Sequence, residues 1–277
     1  MPDQITIANG SNILIQALIN ILPQSAKVLI LDPTFVVYEH QASLHGNKVI
    51  KVPLSEDFEL LAEKTLTVIK KEKPGLIFID NPNAPTGSLF EKRNLYRIIQ
   101  AAGCPVVIDE AYYPFTDETV VDWLSDFDNL IVMRTLSKAM ALAGIRFGYT
   151  MASIEIAQQI EKFLMPFRLS KIVSVIVDEI LDHSDYMQGY VKNIVKERGV
   201  LFAKMQKIEK IRVFPSEANF LLFRVENPRD VAQKLLNEKV LVRNVSNDGM
   251  LKDCLRVSVG TAEENEQFLV ALKKVLG

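Results

Sequence analysis

Short apolar runs alternate with amphipathic stretches over the first half of the chain. Four runs are rich in Ile, Val and Leu and are bounded by Pro, Gly, Asp or Asn, a pattern typical of strands buried on both faces. These runs are residues 27–31, 76–79, 106–108 and 130–133. Helical periodicity fills intervals between them, at residues 12–22, 57–71 and 91–101. Regular alternation of strand and helix predicts an α/β fold with a mostly parallel central sheet and helices on both faces.

The pattern changes after residue 166. Residues 171–208 are mostly helical in pattern and predict two helices that meet near His183 and Ser184. The remaining predicted elements are strands at 219–225, 240–242 and 255–259 and helices at 228–238 and 262–276. We therefore predict a large domain over residues 1–166 and a smaller α+β domain over residues 167–277.

Composition narrows the class of protein. The 277 residues are 48% hydrophobic and 24% charged, with a formal net charge of -2, which is ordinary for a globular protein and gives no basic face for nucleic acid. The apolar runs are too short to cross a bilayer, and the first residues do not resemble a signal peptide. The two cysteines are expected to be reduced. We expect a cytoplasmic protein with no membrane or nucleic-acid partner.

Polar residues follow the predicted strands, at the points where each strand ends. They occupy residues 32–35, 81–83, 109–112 and 135–138. In an open α/β sheet, ligands bind beyond the carboxyl ends of the strands. These segments would therefore bring a carboxylate, a phenol, an amide, hydroxyls and a lysine to one edge of the sheet.

Lys138 is the most distinctive of these residues. It follows a buried strand, lies beside the hydroxyls of Thr135 and Ser137, and precedes Arg146 by eight residues. An amine that attacks a carbonyl must lose its proton, which burial favours, and a phosphate is bound by hydroxyls, backbone N–H groups and arginine. The alternative is a surface Lys-Arg pair, and the spacing by itself does not separate the two.

Other candidates each have two interpretations. Asp109 ends an apolar run and is either a local cap or the partner of a cation such as a protonated ring nitrogen, with Tyr112 three residues on. Ser11 and Asn12 lie at the start of a predicted helix, so they either cap its N-terminus or form part of a phosphate-binding site.

An arginine in an apolar strand indicates an anion. Arg256 lies inside the predicted strand at 255–259, where it needs either a substrate carboxylate or phosphate or a structural salt bridge. Arg243 and Asn219 are further candidates for contact with the substrate. The histidines lie in polar contexts and the common metal-binding motifs are missing, so we predict no metal site.

Residues 135–139 (Thr-Leu-Ser-Lys-Ala) and 143–148 (Ala-Gly-Ile-Arg-Phe-Gly) resemble the cofactor-lysine motif of fold-type I aminotransferases, and within them the histidinol-phosphate aminotransferase group. The resemblance covers nearly the whole chain. Its other motifs occur in the family's order at residues 33–35, 85–87, 109–112 and 255–260.

The resemblance implies a pyridoxal 5'-phosphate cofactor and a role for each matching residue. Lys138 would hold the cofactor as a Schiff base and move the proton, Asp109 would pair with the ring nitrogen, and Tyr112 would contact the ring oxygen. Phe35 would stack on the ring, and Arg256 with Arg243 would bind the acidic end of each substrate. The phosphate would be held by Ser11, Asn12, Thr135, Ser137 and Arg146.

The chain departs from the family pattern in two places. The family asparagine that contacts the ring oxygen is replaced by Ala84, so that either Asn83 substitutes for it or Tyr112 acts alone. Relatives also carry a substantial segment before the stretch that matches residues 5–12, and that segment helps to cover the active site. Its absence here leads us to expect cofactor binding with an incompletely closed site.

Three hypotheses follow. The first is an aminotransferase, acting as a homodimer, that exchanges an amino group between a phosphorylated or carboxylated amine and 2-oxoglutarate or glutamate. The second is a pyridoxal-phosphate lyase or decarboxylase similar to threonine-phosphate decarboxylase. The third is a non-catalytic relative that keeps the fold.

Overall fold

The computed structural model describes residues 1–277 and contains two β-sheets. The strands of the larger sheet are β1 (Ile5–Ala8), β2 (Lys27–Asp32), β3 (Lys48–Pro53), β4 (Leu76–Asp80), β5 (Val106–Asp109), β6 (Leu130–Thr135) and β7 (Gly148–Met151). Their order across the sheet is β1-β7-β6-β5-β4-β2-β3. The central pairs from β6 to β3 are parallel, and β7 is antiparallel to both of its neighbours. The predicted mostly parallel sheet is confirmed.

The smaller sheet is antiparallel throughout. Its strands are β8 (Ile211–Val213), β9 (Phe220–Val225), β10 (Arg243–Asn244) and β11 (Cys254–Ser258), in the order β10-β11-β9-β8. The helices of the chain are α1 (Ser11–Asn20), α2 (Val36–His45), α3 (Ala62–Glu72), α4 (Lys92–Ala101), α5 (Ile154–Glu161), α6 (Lys171–Asp182), α7 (Ser184–Met205), α8 (Pro228–Asn237) and α9 (Ala262–Leu276). The predicted meeting point of two helices at His183 and Ser184 is confirmed. None of the helices is long and apolar enough to cross a membrane.

The central strands are apolar except near their ends because the sheet has a core on each face. In β2, Leu29 and Leu31 belong to one buried cluster, whereas Val28 and Ile30 belong to the cluster on the other face. Successive side chains of a strand point to opposite faces, so a strand covered on both sides needs no polar positions. This explains why the central strands could be predicted from apolar runs alone.

The small sheet builds a third core together with loops of the large sheet. Its cluster combines Phe223, Leu255 and Phe268 with Tyr112 and Ala139, which follow β5 and β6. The smaller lobe therefore packs against the edge of the large sheet where the polar loops lie. The division at residues 166 and 167 stays a prediction.

Two predicted elements were wrong: one helix begins later than predicted, and one short strand is not formed. The helix predicted at 57–71 begins only at Ala62, because the Ser55 hydroxyl accepts hydrogen bonds from the backbone N–H groups of Asp57 and Glu59 and holds a turn there. The strand predicted at 240–242 is not formed, since the N–H of Val240 donates to the carbonyl at residue 235 at the end of α8. Strand pairing begins at β10 instead.

Candidate active site

The carboxyl ends of β4, β5 and β6 open onto a cavity of about 200 Å³. All the predicted cofactor-binding residues line it except Asn83. They are Ser11, Asn12, Phe35, Asp109, Tyr112, Thr135, Ser137, Lys138 and Arg146. Residues up to 135 positions apart are thus brought together (11 to 146), because the ends of neighbouring parallel strands share one edge of the sheet.

Asp109 is buried at the end of β5, where it accepts two hydrogen bonds. The Tyr38 hydroxyl donates to its Oδ2 at 2.6 Å, and the N–H of Ala111 donates to its Oδ1 at 3.0 Å. Burial raises the pKa of the Asp109 carboxyl to about 6, against the lowering effects of these hydrogen bonds and of the positive charge of Lys138. The contact with Ala111 is the local cap that the sequence allowed, and the same carboxylate also faces the cavity.

Lys138 reaches the cavity from the turn after β6. Its Nζ lies 5.3 Å from the centroid of the Tyr112 ring and forms no ion pair with a carboxylate. The turn is held by the Thr135 hydroxyl, which accepts from the N–H of Ser137 at 3.2 Å. An amine placed this way is available to a carbonyl carbon in the cavity.

The same cavity also has the donors that a phosphate needs. The hydroxyls of Thr135 and Ser137 lie 3.0 Å apart, and Ser11 opens α1 with its free backbone N–H groups. Gly10 precedes the helix with φ 92°, and a Cβ there would overlap the guanidinium of Arg146. The hydroxyls, the helix start and the arginine together form an anion seat.

Asn83 does not face the cavity. It is fully buried, and its amide donates to the Pro33 carbonyl at 3.1 Å and to Asp80 Oδ1 at 2.8 Å. Its own Oδ1 accepts from the Thr86 hydroxyl at 2.6 Å. Both amide hydrogens are therefore committed to the protein, and Tyr112 is the remaining candidate for the ring oxygen.

The sequence did not single out Asp80 and Tyr38, which also line the cavity. Asp80 could have been found, because it ends an apolar run in the same way as Asp109. Tyr38 gave no such signal. It lies in α2 and stacks on Phe78 with ring centroids 4.6 Å apart.

A buried ion pair joins β5 and β6 just beside the cavity. Arg134 Nε donates to Glu110 Oε2 at 2.9 Å, its Nη2 donates to the Thr119 hydroxyl at 2.7 Å, and its guanidinium lies 3.7 Å from the centroid of the Tyr113 ring. Glu110 follows Asp109 and Arg134 precedes Thr135. The pair therefore fixes the spacing of the two strand ends that carry reactive groups.

Two arginines lie beyond this cavity, in the small sheet. Arg256 and Arg243 are opposite each other on β11 and β10, and neither forms an ion pair with a carboxylate. The Arg256 guanidinium is 4.7 Å from the centroid of the Phe220 ring, which packs edge-on against Tyr112. Burial and, to a smaller extent, Arg243 lower the pKa of Arg256. The structural salt bridge that the sequence left open is not formed, so the pair is available to an external anion.

Asn219 is half-buried beside Phe220, and its carbonyl accepts from the N–H of Val259 at 2.9 Å.

Residues 1–272 match the sequence profile of the family described as aminotransferase class I and II. The chain belongs to this family. As an aminotransferase of class I and II its cofactor is pyridoxal 5'-phosphate, which supplies a reactive aldehyde and an electron-withdrawing ring. The cavity fits that group, because it places an amine, a buried carboxylate and an anion seat around one space.

Relatives of known type agree with this assignment. A histidinol-phosphate aminotransferase of Clostridium kluyveri is 36% identical over 99% of this chain and 78% of that protein. The crystal structure of the histidinol-phosphate aminotransferase from Clostridium acetobutylicum superposes with a TM-score of 0.92 at 30% identity, over 98% of this chain and 83% of that one. A decarboxylase from Sulfurospirillum multivorans superposes with a TM-score of 0.91 at 25% identity, over 100% of this chain and 83% of that one. The resemblance read from the sequence is confirmed.

The anion seat of this aminotransferase gives a first prediction. Gly10→Ala forces a side chain into a positive φ and against Arg146, at a cost of about 1–2 kcal/mol from the backbone alone. We expect the dissociation constant for pyridoxal phosphate, titrated by absorbance into the apoprotein, to rise by roughly tenfold. Gly103→Ala is the matched control, since a Cβ there meets nothing within 4 Å. Equal affinity in both variants would show that Gly10 is not part of the seat.

Proposed function

We propose that the chain transfers an amino group between a phosphorylated amine of the histidinol-phosphate type and 2-oxoglutarate or glutamate. The observation that supports amino transfer is the placing of Lys138, Asp109 and an anion seat around one cavity. The observation that supports a phosphorylated or carboxylated substrate is the arginine pair on β10 and β11 without a carboxylate partner. The names of the relatives are consistent with both.

The proposed roles follow from position. Lys138 would hold the cofactor at its aldehyde carbon, and its amine would carry the proton to and from the substrate α-carbon. Asp109, oriented by the hydrogen bond from Tyr38, would hold the protonated ring nitrogen, and the cofactor would supply an electron-withdrawing ring. Phe35 and Tyr112, which line the same cavity, would contact the ring and its oxygen.

The anion seat and the arginine pair have separate tasks. Ser11, Thr135, Ser137 and Arg146, with Asn12 at the helix start, bind the cofactor phosphate. Arg256, with Arg243 opposite it, binds the acidic group of each substrate in turn. The Phe220 ring packs against the guanidinium of Arg256 and positions it. A guanidinium binds both phosphate and carboxylate groups, so one site accepts both.

Changing Arg256 to alanine tests this assignment. Loss of a half-buried charged partner costs about 2–5 kcal/mol, so we expect the ratio kcat/KM for the acidic substrates to fall by at least about thirtyfold, mainly through KM. Cofactor affinity should not change. Arg93→Ala, an exposed arginine on α4, is the control, and Arg256→Lys should recover only part of the loss because it lacks the planar fork. An unchanged KM in Arg256→Ala would remove this residue from the substrate site.

The decarboxylase hypothesis has one supporting observation. The decarboxylase from Sulfurospirillum multivorans has the same fold over the whole of this chain. Both reactions use one lysine over one ring, and the bond held perpendicular to the ring is the bond that breaks. Incubation with phosphorylated amines and amino acids separates them, because amino transfer consumes 2-oxoglutarate and forms glutamate, whereas decarboxylation releases carbon dioxide without needing an oxo acid. A protein that binds no pyridoxal phosphate would instead be the non-catalytic relative.

We also propose that the active form is a homodimer. Large apolar side chains are exposed on α6 and the segment before it, namely Phe163, Met165, Phe167, Ile172, Val175 and Leu181. Several exposed large apolar side chains along one stretch of chain are typical of protein interfaces. On its other face α6 packs against the turn that carries Lys138, through Val177 and Leu136. Sedimentation equilibrium should give twice the mass of one chain, and a monomer at micromolar concentration would contradict the proposal.

A further inference from the structure

A second carboxylate lies beside Asp109 beneath the cavity. Asp80 is the last residue of β4, as Asp109 is of β5, and the two are paired in register in the parallel sheet. Both are buried and both line the cavity. Two neighbouring carboxylates in a space closed to solvent are unfavourable unless donors or a cation compensate them.

Asp80 is compensated by three donors from two different loops. Its Oδ1 accepts from the Thr34 hydroxyl at 2.7 Å and from the Asn83 amide at 2.8 Å, and its Oδ2 accepts from the N–H of Ala84 at 2.7 Å. Thr34 precedes Phe35, which faces the ring. Asn83 and Ala84 belong to the turn after β4, where the chain departs from the family pattern. One carboxylate therefore ties together the loops on two sides of the cavity.

The charged and titratable groups that face Asp80 carry no compensating positive charge. They are Asp109 on β5 and Tyr38 on α2, and no lysine or arginine pairs with Asp80. Burial and, to a smaller extent, the charge of Asp109 raise the pKa of Asp80 to about 7. Lys138 is near enough to lower the pKa of Asp109. A protonated ring nitrogen held by Asp109 would therefore be the cation that both carboxylates lack.

We propose that Asp80 is a positioning residue of the cofactor site, which holds the loops of Phe35 and Ala84 in place and adds its negative charge to that of Asp109 beneath the ring nitrogen. The proposal rests on the proposed placing of the cofactor on Asp109. It explains why a carboxylate occupies a fully enclosed position at a strand end. A neutral amide would avoid the cost of a buried charge, but with a single acceptor oxygen it would leave one of the three donors unpaired.

The test is Asp80→Asn, measured on cofactor binding rather than on turnover. We expect the dissociation constant of the apoprotein for pyridoxal phosphate at pH 8 to rise by about tenfold, because one hydrogen bond and one attractive charge are lost. We also expect the midpoint of the pH titration of the bound cofactor's absorption band to fall by at least about half a pH unit, since a cationic group loses an anionic neighbour.

Two control variants separate charge from loop geometry. Thr34→Val removes one of the three hydrogen bonds and leaves the carboxylate in place, so it should weaken affinity and lower the absorption midpoint by less than Asp80→Asn does. Asp32→Asn makes the same substitution at the end of β2, where the side chain forms no hydrogen bond within the protein and does not line the cavity, and should change neither quantity. Asp80→Ser is a smaller neutral replacement for use if circular dichroism shows that Asp80→Asn does not fold.

The outcomes are distinct. A lowered midpoint in Asp80→Asn or Asp80→Ser, with a smaller shift in Thr34→Val, supports the proposal even if the substrate class proposed above is wrong. An unchanged midpoint in the neutral variants overturns it, whatever their affinity. Failure of the parent protein to bind pyridoxal phosphate overturns the cofactor site and this proposal together.

Discussion

Lys138→Ala is expected to lower the rate of amino transfer by at least about a thousandfold. The substitution removes both the amine that attaches to the cofactor and the group that moves the proton at the substrate α-carbon. No other lysine lines the cavity, so no neighbour replaces it. The rate is measured as glutamate formed from 2-oxoglutarate over a panel of amino donors. Pyridoxal phosphate should still bind through its phosphate, but borohydride should not fix it to the protein.

Two further variants show whether the loss is specific. Lys138→Arg keeps a positive charge near Asp109 but cannot attach to an aldehyde carbon, so it should be as inactive as the alanine variant. Lys64→Ala changes an exposed lysine on α3 and should leave the rate unchanged. Activity in Lys138→Ala within tenfold of the parent would place the chemistry on another residue.

Asp109→Asn is expected to reduce amino transfer by about a hundredfold or more while making the apoprotein more stable. The amide keeps the two local hydrogen bonds, because the Tyr38 hydroxyl can accept as well as donate and the N–H of Ala111 can bond the amide oxygen. It cannot hold a protonated ring nitrogen by charge, so the ring withdraws electrons less well. Function and stability should therefore change in opposite directions.

The size of the stability effect depends on pH. The pKa of Asp109 is raised from 3.8 to about 6 by burial, so the folded state resists ionisation that the unfolded state allows. As pH rises from about 4 to about 6, the free energy of unfolding of the parent apoprotein should fall by up to about 1–3 kcal/mol relative to that of Asp109→Asn. It should not fall further above that pH. Urea unfolding of both apoproteins at pH 4 and pH 8 measures it. A parent protein that is more stable than the variant at pH 8 would mean that a cation already pairs with Asp109.

The central strands and the location of the site followed from the sequence for a physical reason. A strand covered on both faces is apolar except near its ends, so β2, β4, β5 and β6 stand out as apolar runs. The first polar residues after each run must then lie at one edge of a parallel sheet. That rule alone placed Asp109 and Lys138 in the same neighbourhood, and the resemblance to aminotransferases supplied the roles.

The edge strands β1 and β3 and the inner strand β7 were not predicted, because their sequences are mixed. In β3 the exposed Lys48 and Lys51 interrupt the apolar pattern, and β1 and β7 each contain a threonine, Thr6 and Thr150. α2 was also missed. It carries Tyr38 to Asp109, a contact across 71 residues that depends on how the helix packs on the sheet.

The side-chain hydrogen bonds of the loops were equally out of reach. Asn83 was a candidate for the ring oxygen by its place in the turn, yet its amide is used by Pro33 and Asp80 inside the protein. Which donor a turn points inward depends on backbone angles that the residue types do not determine. The pairing of Arg134 with Glu110 is similar, because it requires the register of β5 against β6.

The most direct test of the account is to find the residue that carries the cofactor. The protein is loaded with pyridoxal phosphate, reduced with borohydride and digested, and the modified peptide is identified by mass spectrometry. We predict that the added group lies on Lys138, in the peptide that follows Arg134, and that the Asp80→Asn and Arg256→Ala proteins are labelled at the same position. Labelling of a different lysine, or no labelling of a folded protein at saturating cofactor, would contradict the attachment of the cofactor to Lys138.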